Sequence, residues 1–244
     1  LLGGRRSASM PAYVSVSSDS PAAMARAMEV ARQQGIARFQ VKLDGDRMND
    51  LARIRETAAT LRRGESVLAD ANGAYDLAEA QRLVADLPEG ELLIEEPCAG
   101  FEDNLALARN CGRPLILDQC LATLTHYARV AGQGGVHGVV IKPTLLGGLR
   151  AACVARDLCA SAGLAMRVDD SWTADVGSVA ALHLAAGTPE HLLLSTLDMR
   201  DYFDGRMFAG GPVTHDGKIT VPNDPGLGLT VLPEALGTPV FELH

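Results

Sequence analysis

Residues 67–118 contain three short apolar runs that each end in a carboxylate: Val-Leu-Ala-Asp at 67–70, Leu-Leu-Ile-Glu at 92–95 and Leu-Ile-Leu-Asp at 115–118. Two stretches with helical periodicity separate these runs, at 77–86 and 104–110. Strands that are joined by helices pair in parallel, because a tight hairpin can join only antiparallel neighbours. This part of the sequence therefore predicts a parallel α/β sheet.

The same alternation continues on both sides of this stretch. Strands are predicted at 12–16, 38–43, 67–70, 92–95, 115–117, 138–141, 165–168 and 192–195, and helices at 21–34, 49–62, 77–86, 104–110, 121–131, 148–162 and 176–186. A doubly wound open sheet and a closed barrel both fit this order, but eight strands in 244 residues favour a TIM barrel. Gly, Pro and Asp dominate after residue 195, which predicts a loop-rich C-terminal tail.

Ionisable residues follow six consecutive predicted strands at intervals of 23 to 28 residues, about one strand-helix unit each. They are Lys42, Asp70, Glu95, Asp118, Lys142 and Asp169. In a parallel barrel the carboxyl ends of the strands share one rim, where active sites lie. The sequence therefore predicts that these six side chains meet at one rim. Glu95 and Glu96 are neighbours, so only one of them points inward, and the strand pattern leaves that choice open.

The types of residue at this rim indicate a chemistry. Three adjacent carboxylates repel one another unless a hard cation lies between them, and oxygen ligands favour Mg²⁺ or Mn²⁺. The two lysines follow the second and sixth strands, so they are expected to face each other across the barrel mouth. A lysine whose pKa is lowered by nearby cations suits a general base. A metal ion and a lysine base together remove a proton α to a carboxylate.

The composition excludes several other classes of protein. Apolar residues make up 47% of the chain, yet no apolar run approaches the roughly 20 residues of a membrane-spanning helix. The net charge is −8, and no cluster of Lys and Arg indicates nucleic-acid binding. Five cysteines without a Cys-x-x-Cys pair predict a reducing, cytoplasmic setting. The expected partner is therefore a small-molecule carboxylate substrate.

The ordered motifs around the rim residues resemble those of the enolase superfamily, in its mandelate racemase and muconate lactonizing enzyme group. The motifs are Phe-Gln-Val-Lys-Leu at 39–43, Ala-Asp-Ala-Asn-Gly at 69–73, Ile-Glu-Glu-Pro-Cys at 94–98, Ile-Leu-Asp-Gln at 116–119 and Ile-Lys-Pro-Thr-Leu-Leu-Gly-Gly at 141–148. The resemblance implies that Asp70, Glu95 and Asp118 bind Mg²⁺ and that Lys42 and Lys142 act as acid and base. It also implies a homo-oligomer.

The resemblance further implies a domain organisation. Residues 11–197 are expected to form a modified TIM barrel, (β/α)₇β, and residues 198–244 a tail that packs on the barrel or on a capping domain. Residues 1–10 resemble the end of the group's N-terminal α+β capping domain, which is otherwise absent from this chain. Because that domain closes the site, weak or no activity is expected for residues 1–244 alone.

The chain departs from the group's motifs at two positions. Gln40 replaces the first lysine of the group's Lys-x-Lys motif, and Gln119 replaces a glutamate of muconate lactonizing relatives. A narrower resemblance rests on Gln40, the Glu-x-Pro-Cys turn at 95–98, and Asp-Asp-Ser-Trp at 169–172 followed by Ala174-Asp175. These features resemble members that act on proline derivatives, among them the cis-3-hydroxyproline dehydratases and hydroxyproline betaine epimerases. The implied substrate-binding residues are Gln40, Asn72, Gln119, Asp169, Asp170 and Trp172.

Alternatives remain open at this stage. Asp169 or Asp170 can pair with a substrate ammonium and Trp172 can offer it a cation–π face, but the aspartates can also cap the next helix and Trp172 can pack over the barrel mouth. The two lysines allow either epimerisation or dehydration. Other candidate functions are an acid-sugar dehydratase, another racemase or cycloisomerase of the superfamily, and a catalytically silent scaffold.

Overall fold

Eight parallel strands form one curved sheet in the computed structural model, which describes residues 1–16, 20–170 and 172–238. Ser171 of the Asp-Asp-Ser-Trp segment and tail residues 239–244 lie outside the described residues. The barrel strands are β2 (Val14–Val16), β3 (Arg38–Lys42), β4 (Ser66–Asp70), β5 (Leu92–Glu95), β6 (Leu115–Leu117), β7 (Gly138–Ile141), β8 (Ala165–Val168) and β9 (Leu193–Thr196). They pair in chain order, which confirms the eight predicted strands.

The sheet closes into a barrel where its first and last strands meet. Ala12 forms a parallel bridge with Thr196, and the Tyr13 N–H donates a hydrogen bond to the Thr196 carbonyl at 3.3 Å. The seven helices are α1 (Pro21–Gln33), α2 (Arg47–Ala59), α3 (Leu77–Ala85), α4 (Phe101–Asn110), α5 (Leu124–Gln133), α6 (Leu149–Ser161) and α7 (Ala174–Ala186). Seven strand-helix units and a final strand make the (β/α)₇β fold.

Helix ends differ from the prediction by up to three residues, for local reasons. Helix α5 was expected from residue 121, but it begins at Leu124 because the Thr123 hydroxyl accepts a hydrogen bond from the His126 N–H as an N-cap. Helix α4 begins at Phe101, three residues earlier than predicted, after Gly100 at the cap position. These shifts leave the strands, and hence the rim, in place.

Inward-facing side chains fill the barrel in layers, because alternate residues of a strand point to the same face. The layer below the rim contains a small buried apolar cluster of Leu68, Ile116 and Val140, with Leu93 and Leu194 packed against it. Two residues further along β4, β5, β6 and β7 come Asp70, Glu95, Asp118 and Lys142. The apolar layer therefore supports the charged rim from below.

The tail contains more strand than the sequence predicts. Short strands are β1 (Met10–Pro11), which precedes the barrel, and β10 (Phe208–Gly210), β11 (Val213–His215), β12 (Lys218–Thr220) and β13 (Leu229–Val231) in the tail. Strand β12 pairs antiparallel with both β1 and β11, while β10 pairs with β13. The tail is thereby tied to the chain that enters the barrel. None of the helices in the described part of the chain is long and apolar enough to span a membrane.

Candidate active site

A cavity of about 480 Å³ opens at the carboxyl ends of the barrel strands. Every residue that the sequence analysis singled out for the site lines it: Gln40, Lys42, Asp70, Asn72, Glu95, Asp118, Gln119, Lys142, Asp169, Asp170 and Trp172. The structure thus brings the whole set together, while the role of each residue stays a prediction. Tyr13, Ser15, Leu197, Met199 and Tyr202 complete the lining, and the sequence analysis did not single them out.

The two lysines stand on opposite sides of this cavity, because β3 and β7 are four strands apart in an eight-stranded barrel. Lys42 Nζ lies 2.5 Å from Asp70 Oδ2 and 3.1 Å from Asn72 Oδ1. Lys142 Nζ lies 2.6 Å from Asp118 Oδ2. Each ammonium group is therefore held by a carboxylate on a nearby strand and reaches the cavity from its own side.

The three carboxylates lie side by side between the lysines. Asp70 and Glu95 are direct partners in the register of β4 and β5, and Asp118 directly follows β6. All three side chains are almost fully buried, with exposed fractions of 1%, 1% and 3%. Adjacent strands therefore place three oxygen donors in one row along the rim.

The structure resolves the choice between Glu95 and Glu96. Glu95 lines the cavity, whereas Glu96 has a positive φ of 42° and its carboxylate turns under the next loop. There it accepts the N–H groups of Asp118 and Cys120, both at 2.7 Å, and the Cys120 thiol at 3.3 Å. Glu95 is thus the rim carboxylate, and Glu96 supports the segment that carries Asp118.

Two carboxylates of this row, Glu95 and Asp118, have a raised pKa. Burial raises the pKa of Glu95 well above its usual value, and the Arg167 charge opposes that rise. Burial likewise raises the pKa of Asp118, against the lowering effect of Lys142. A raised carboxyl pKa of this kind indicates a place where additional positive charge would stabilise the ionised form.

The pKa of Lys142 is shifted in the opposite direction from the one that suits a general base. Burial lowers its pKa, but Asp118, Asp169 and Glu95 raise it more, so the pKa is raised overall. The residue types at the rim had predicted a lysine with a lowered pKa instead. In this arrangement Lys142 holds its proton, and it can act as a base only when another cation shares the charge of Asp118.

The three carboxylates are the type of ligand that a divalent cation prefers, although each of them already contacts a positively charged side chain of the protein. Within the described residues, no three Asp, Glu, His or Cys side chains are arranged as a complete metal site. Lys42, Lys142 and Arg167 each contact one oxygen of the row. Asp118 Oδ1, however, is buried and accepts no hydrogen bond. Carboxylate oxygens are the ligands that Mg²⁺ prefers, so these residues fit that ion.

Gln40 and Asn72, predicted to bind substrate, contact the acidic row itself. Gln40 Nε2 donates to Asp70 Oδ2 at 2.9 Å and to Glu95 Oε2 at 3.3 Å. The Asn72 N–H donates to Asp70 Oδ1 at 3.0 Å, in addition to the contact of its side chain with Lys42. Both residues therefore orient rim carboxylates, and Asn72 also accepts a hydrogen bond from the Lys42 ammonium.

Asp169, Asp170 and Trp172 line the cavity next to the end of β8, across the barrel from β4. Asp170 accepts hydrogen bonds from the hydroxyls of Thr144, at 2.7 Å, and Thr173, at 2.5 Å. Thr173 is the N-cap of α7, so neither aspartate occupies the cap position that the alternative reading required. Trp172 is 69% exposed and meets the Tyr202 ring edge-on at 5.9 Å. Its position at the open mouth is compatible with contact to a ligand.

Arg167 is the functional candidate that the sequence analysis missed. It lies on β8, and its guanidinium bridges Glu95 and Asp169 in the barrel interior. A signal was present, because Arg167 is two residues before Asp169 and alternate strand residues share a face. An arginine within a four-residue apolar strand is more easily assigned to the outer surface.

Comparisons with known proteins identify the family and the fold of this chain. Residues 22–235 match the family model described as "Enolase C-terminal domain-like". The chain is similar to a cis-3-hydroxy-L-proline dehydratase of Roseibium aggregatum, at 31% identity over 98% of this chain and 65% of that protein. It is similar to an N-succinylamino acid racemase of Amycolatopsis sp, at 32% identity over 83% of this chain and 55% of that protein. The chain thus spans less than two thirds of the length of either relative.

A solved structure extends the comparison to the fold. It is the crystal structure of a member of the enolase superfamily from Roseovarius nubinhibens ISM complexed with magnesium. The TM-score is 0.92 at 33% identity, and the match covers 98% of this chain and 66% of that chain.

Proposed function

Because this chain belongs to the enolase C-terminal domain-like family, we propose that it takes part in the Mg²⁺-dependent removal of the α-proton of a carboxylate substrate by a lysine. The observation that carries the proposal is the pair of lysines on opposite sides of one cavity, with three carboxylates in a row between them. A substrate bound over the carboxylates would present the two faces of its α-carbon to Lys42 and Lys142.

Asp70, Glu95 and Asp118 would hold the metal ion, as the donor chemistry of the row and the unpartnered Asp118 oxygen support. When bound, Mg²⁺ supplies positive charge that stabilises the enediolate form of a carboxylate substrate. Gln40 and Asn72 orient the row through their contacts with Asp70. Asp118 and Asp70 position the lysine ammonium groups, which keeps both proton carriers beside the substrate.

The two lysines define the possible outcomes. If one lysine removes the α-proton and the other returns a proton to the opposite face, the product is the epimer. If the substrate carries a β-hydroxyl group, the second lysine can protonate that group as it leaves, and the product is dehydrated. The positions of Lys42 and Lys142 allow both reactions, so the substrate determines which one follows.

The proposed substrate is a proline derivative with a positively charged nitrogen, and the reaction is that of a cis-3-hydroxy-L-proline dehydratase or of a proline or hydroxyproline-betaine epimerase. Three features of the mouth support this substrate class: the acidic pair Asp169 and Asp170, the exposed Trp172 ring, and a neutral glutamine instead of a lysine at position 40. Carboxylates and an aromatic face attract a substrate cation. The similarity to a cis-3-hydroxy-L-proline dehydratase points to the same class.

Proton NMR in D₂O tests this proposal directly. The full natural chain with Mg²⁺ is incubated with L- and D-proline, the hydroxyprolines and proline betaines, beside a Lys42→Ala, Lys142→Ala double variant as the control. Loss of the α-proton signal with the wild type alone is the expected result, and the product separates epimerisation from dehydration. Exchange with no member of the panel, together with measurable Mg²⁺ binding, would refute the proline substrate. If the protein shows no exchange and also binds no Mg²⁺, the result would favour a scaffold.

A further inference from the structure

Arg167 is a buried cation that the proposed chemistry does not use. Its side chain is 2% exposed, and it lies in the barrel interior below the acidic row. Burial of a guanidinium is strongly unfavourable unless carboxylates and hydrogen bonds compensate for the lost water. A buried arginine at this place therefore requires an explanation from its contacts.

Those contacts join two carboxylates with different predicted roles. Nη1 donates to Glu95 Oε2, and Nη2 donates to Asp169 Oδ2 at 2.9 Å. The Tyr13 ring lies 4.2 Å from the guanidinium carbon, and the Tyr13 hydroxyl donates to the same Asp169 oxygen at 3.0 Å. Four groups, from β5, from β8 and the residue after it, and from the segment before β2, are thus held in one arrangement.

The arrangement uses only one oxygen of each carboxylate. Gln40 also donates to Glu95 Oε2, so both hydrogen bonds to Glu95 fall on the same atom. Neither of these donors uses Glu95 Oε1, and among the described residues Asp169 Oδ1 is buried without a hydrogen-bond partner. Arg167 therefore fixes the rotation of both carboxyl groups and leaves the second oxygen of each available.

We propose that Arg167 is a positioning residue that orients Glu95 for the metal ion and Asp169 for the cationic group of the substrate. This inference rests on the proposed function. Arginine suits the task because its planar fork can bond two carboxylates at once, and it stays charged at every accessible pH. Loss of the guanidinium should therefore weaken two separate functions, Mg²⁺ binding through Glu95 and substrate binding through Asp169.

A second position allows the two functions to be separated. The Gln40 nitrogen already reaches Glu95 but has no contact with Asp169. A lysine placed at residue 40 would supply positive charge to Asp70 and Glu95 only. The double variant Gln40→Lys, Arg167→Met keeps the total charge of the barrel and so guards against failure to fold. The matched control is Arg156→Met. Arg156 lies on α6, is 4% exposed, and donates hydrogen bonds to the Asp157 carboxylate and to the Leu2 carbonyl.

The experiment measures Mg²⁺ affinity by titration calorimetry and KM for the panel member that exchanges, in the full natural chain. For Arg167→Met we expect Mg²⁺ affinity to fall about 10- to 100-fold, as with other residues that orient a metal ligand, and KM to rise. For the double variant we expect Mg²⁺ affinity to recover while KM stays raised. Folding of each variant is checked by circular dichroism, and if Arg167→Met does not fold, the double variant alone decides.

The other outcomes overturn the inference. Unchanged Mg²⁺ affinity in a folded Arg167→Met protein would show that Glu95 does not need the arginine. Recovery of both quantities in the double variant would show that only net charge matters, and recovery of neither, or an equal loss in Arg156→Met, would indicate general damage to the barrel. A wild-type protein that binds no Mg²⁺ would overturn the proposed function together with this inference, which distinguishes the two failures.

Discussion

Replacement of Glu96 by glutamine changes one atom of a buried group that holds the segment after β6. The two oxygens of Glu96 accept the N–H groups of Asp118 and Cys120, each at 2.7 Å, and the side chain is 1% exposed. In glutamine one of these oxygens becomes an amino group. Whichever way the glutamine amide is turned, its NH₂ group faces one of the two backbone N–H groups. Both are donors, so no hydrogen bond can form there.

The size of the effect follows from these two hydrogen bonds. One charged hydrogen bond, worth about 1.5–3 kcal/mol, is lost, and one buried N–H is left without an acceptor at a cost of about 1–3 kcal/mol. Release from the burial of a charge offsets part of this loss, since burial raises the pKa of Glu96. We therefore expect Glu96→Gln to lower the free energy of unfolding by about 2–4 kcal/mol.

Urea denaturation at pH 7 measures this change, with the slope of the transition compared to ensure that both proteins unfold alike. The control is Glu102→Gln, at a position 71% exposed, whose partner is Arg129 on the surface. The control should leave the midpoint unchanged. Mg²⁺ affinity should fall in Glu96→Gln as well, because the segment that carries Asp118 loses one of the two backbone hydrogen bonds that hold it.

A Glu96→Gln midpoint equal to that of Glu102→Gln would refute the reasoning. It would mean that the segment 118–120 keeps its conformation without the paired acceptor. A large loss of stability with unchanged Mg²⁺ affinity would refute only the link between Glu96 and Asp118.

Three further predictions concern the lysines, an ion pair and the core. Single variants Lys42→Ala and Lys142→Ala should lose α-proton exchange in the NMR assay while circular dichroism shows a retained barrel; full exchange in either would remove that lysine from the mechanism. Hydrogen bonds from Arg32 lower the pKa of Glu65 below 4.5. The stability that Glu65 adds over Glu65→Gln should therefore be complete above about pH 5 and should shrink as the pH falls through the lowered pKa, and a pH-independent difference would contradict this. Leu115→Ala, at a side chain with 0% exposure, should cost about 2–5 kcal/mol in urea denaturation, whereas a loss below about 1 kcal/mol would show that the helices close over the gap.

Local patterns sufficed to predict the barrel and the membership of its rim. The strand-helix unit has a nearly constant length, so residues spaced by 23 to 28 positions, from Lys42 to Asp169, reach the same end of the barrel. Strand alternation then turns them inward. Both rules act within one unit, and for that reason they can be read from the chain alone.

Contacts between distant segments required the tertiary structure. Strand β1 pairs with β12, more than 200 residues away, and this pairing orders a tail whose Gly and Pro content predicts only loops. Neither strand has an apolar pattern long enough to predict its partner. The pairing depends on where the closed barrel places the two segments.

The same distinction holds within the site. The meeting of two lysines and three carboxylates at one rim could be predicted from the chain, because each of them follows a strand of the same barrel. The three-dimensional structure was needed to show that Glu95 faces the cavity while Glu96 supports the Asp118 segment, and that Arg167 joins Glu95 to Asp169. These choices depend on hydrogen-bond partners that other strands supply, since a buried charge is stable only where such partners surround it.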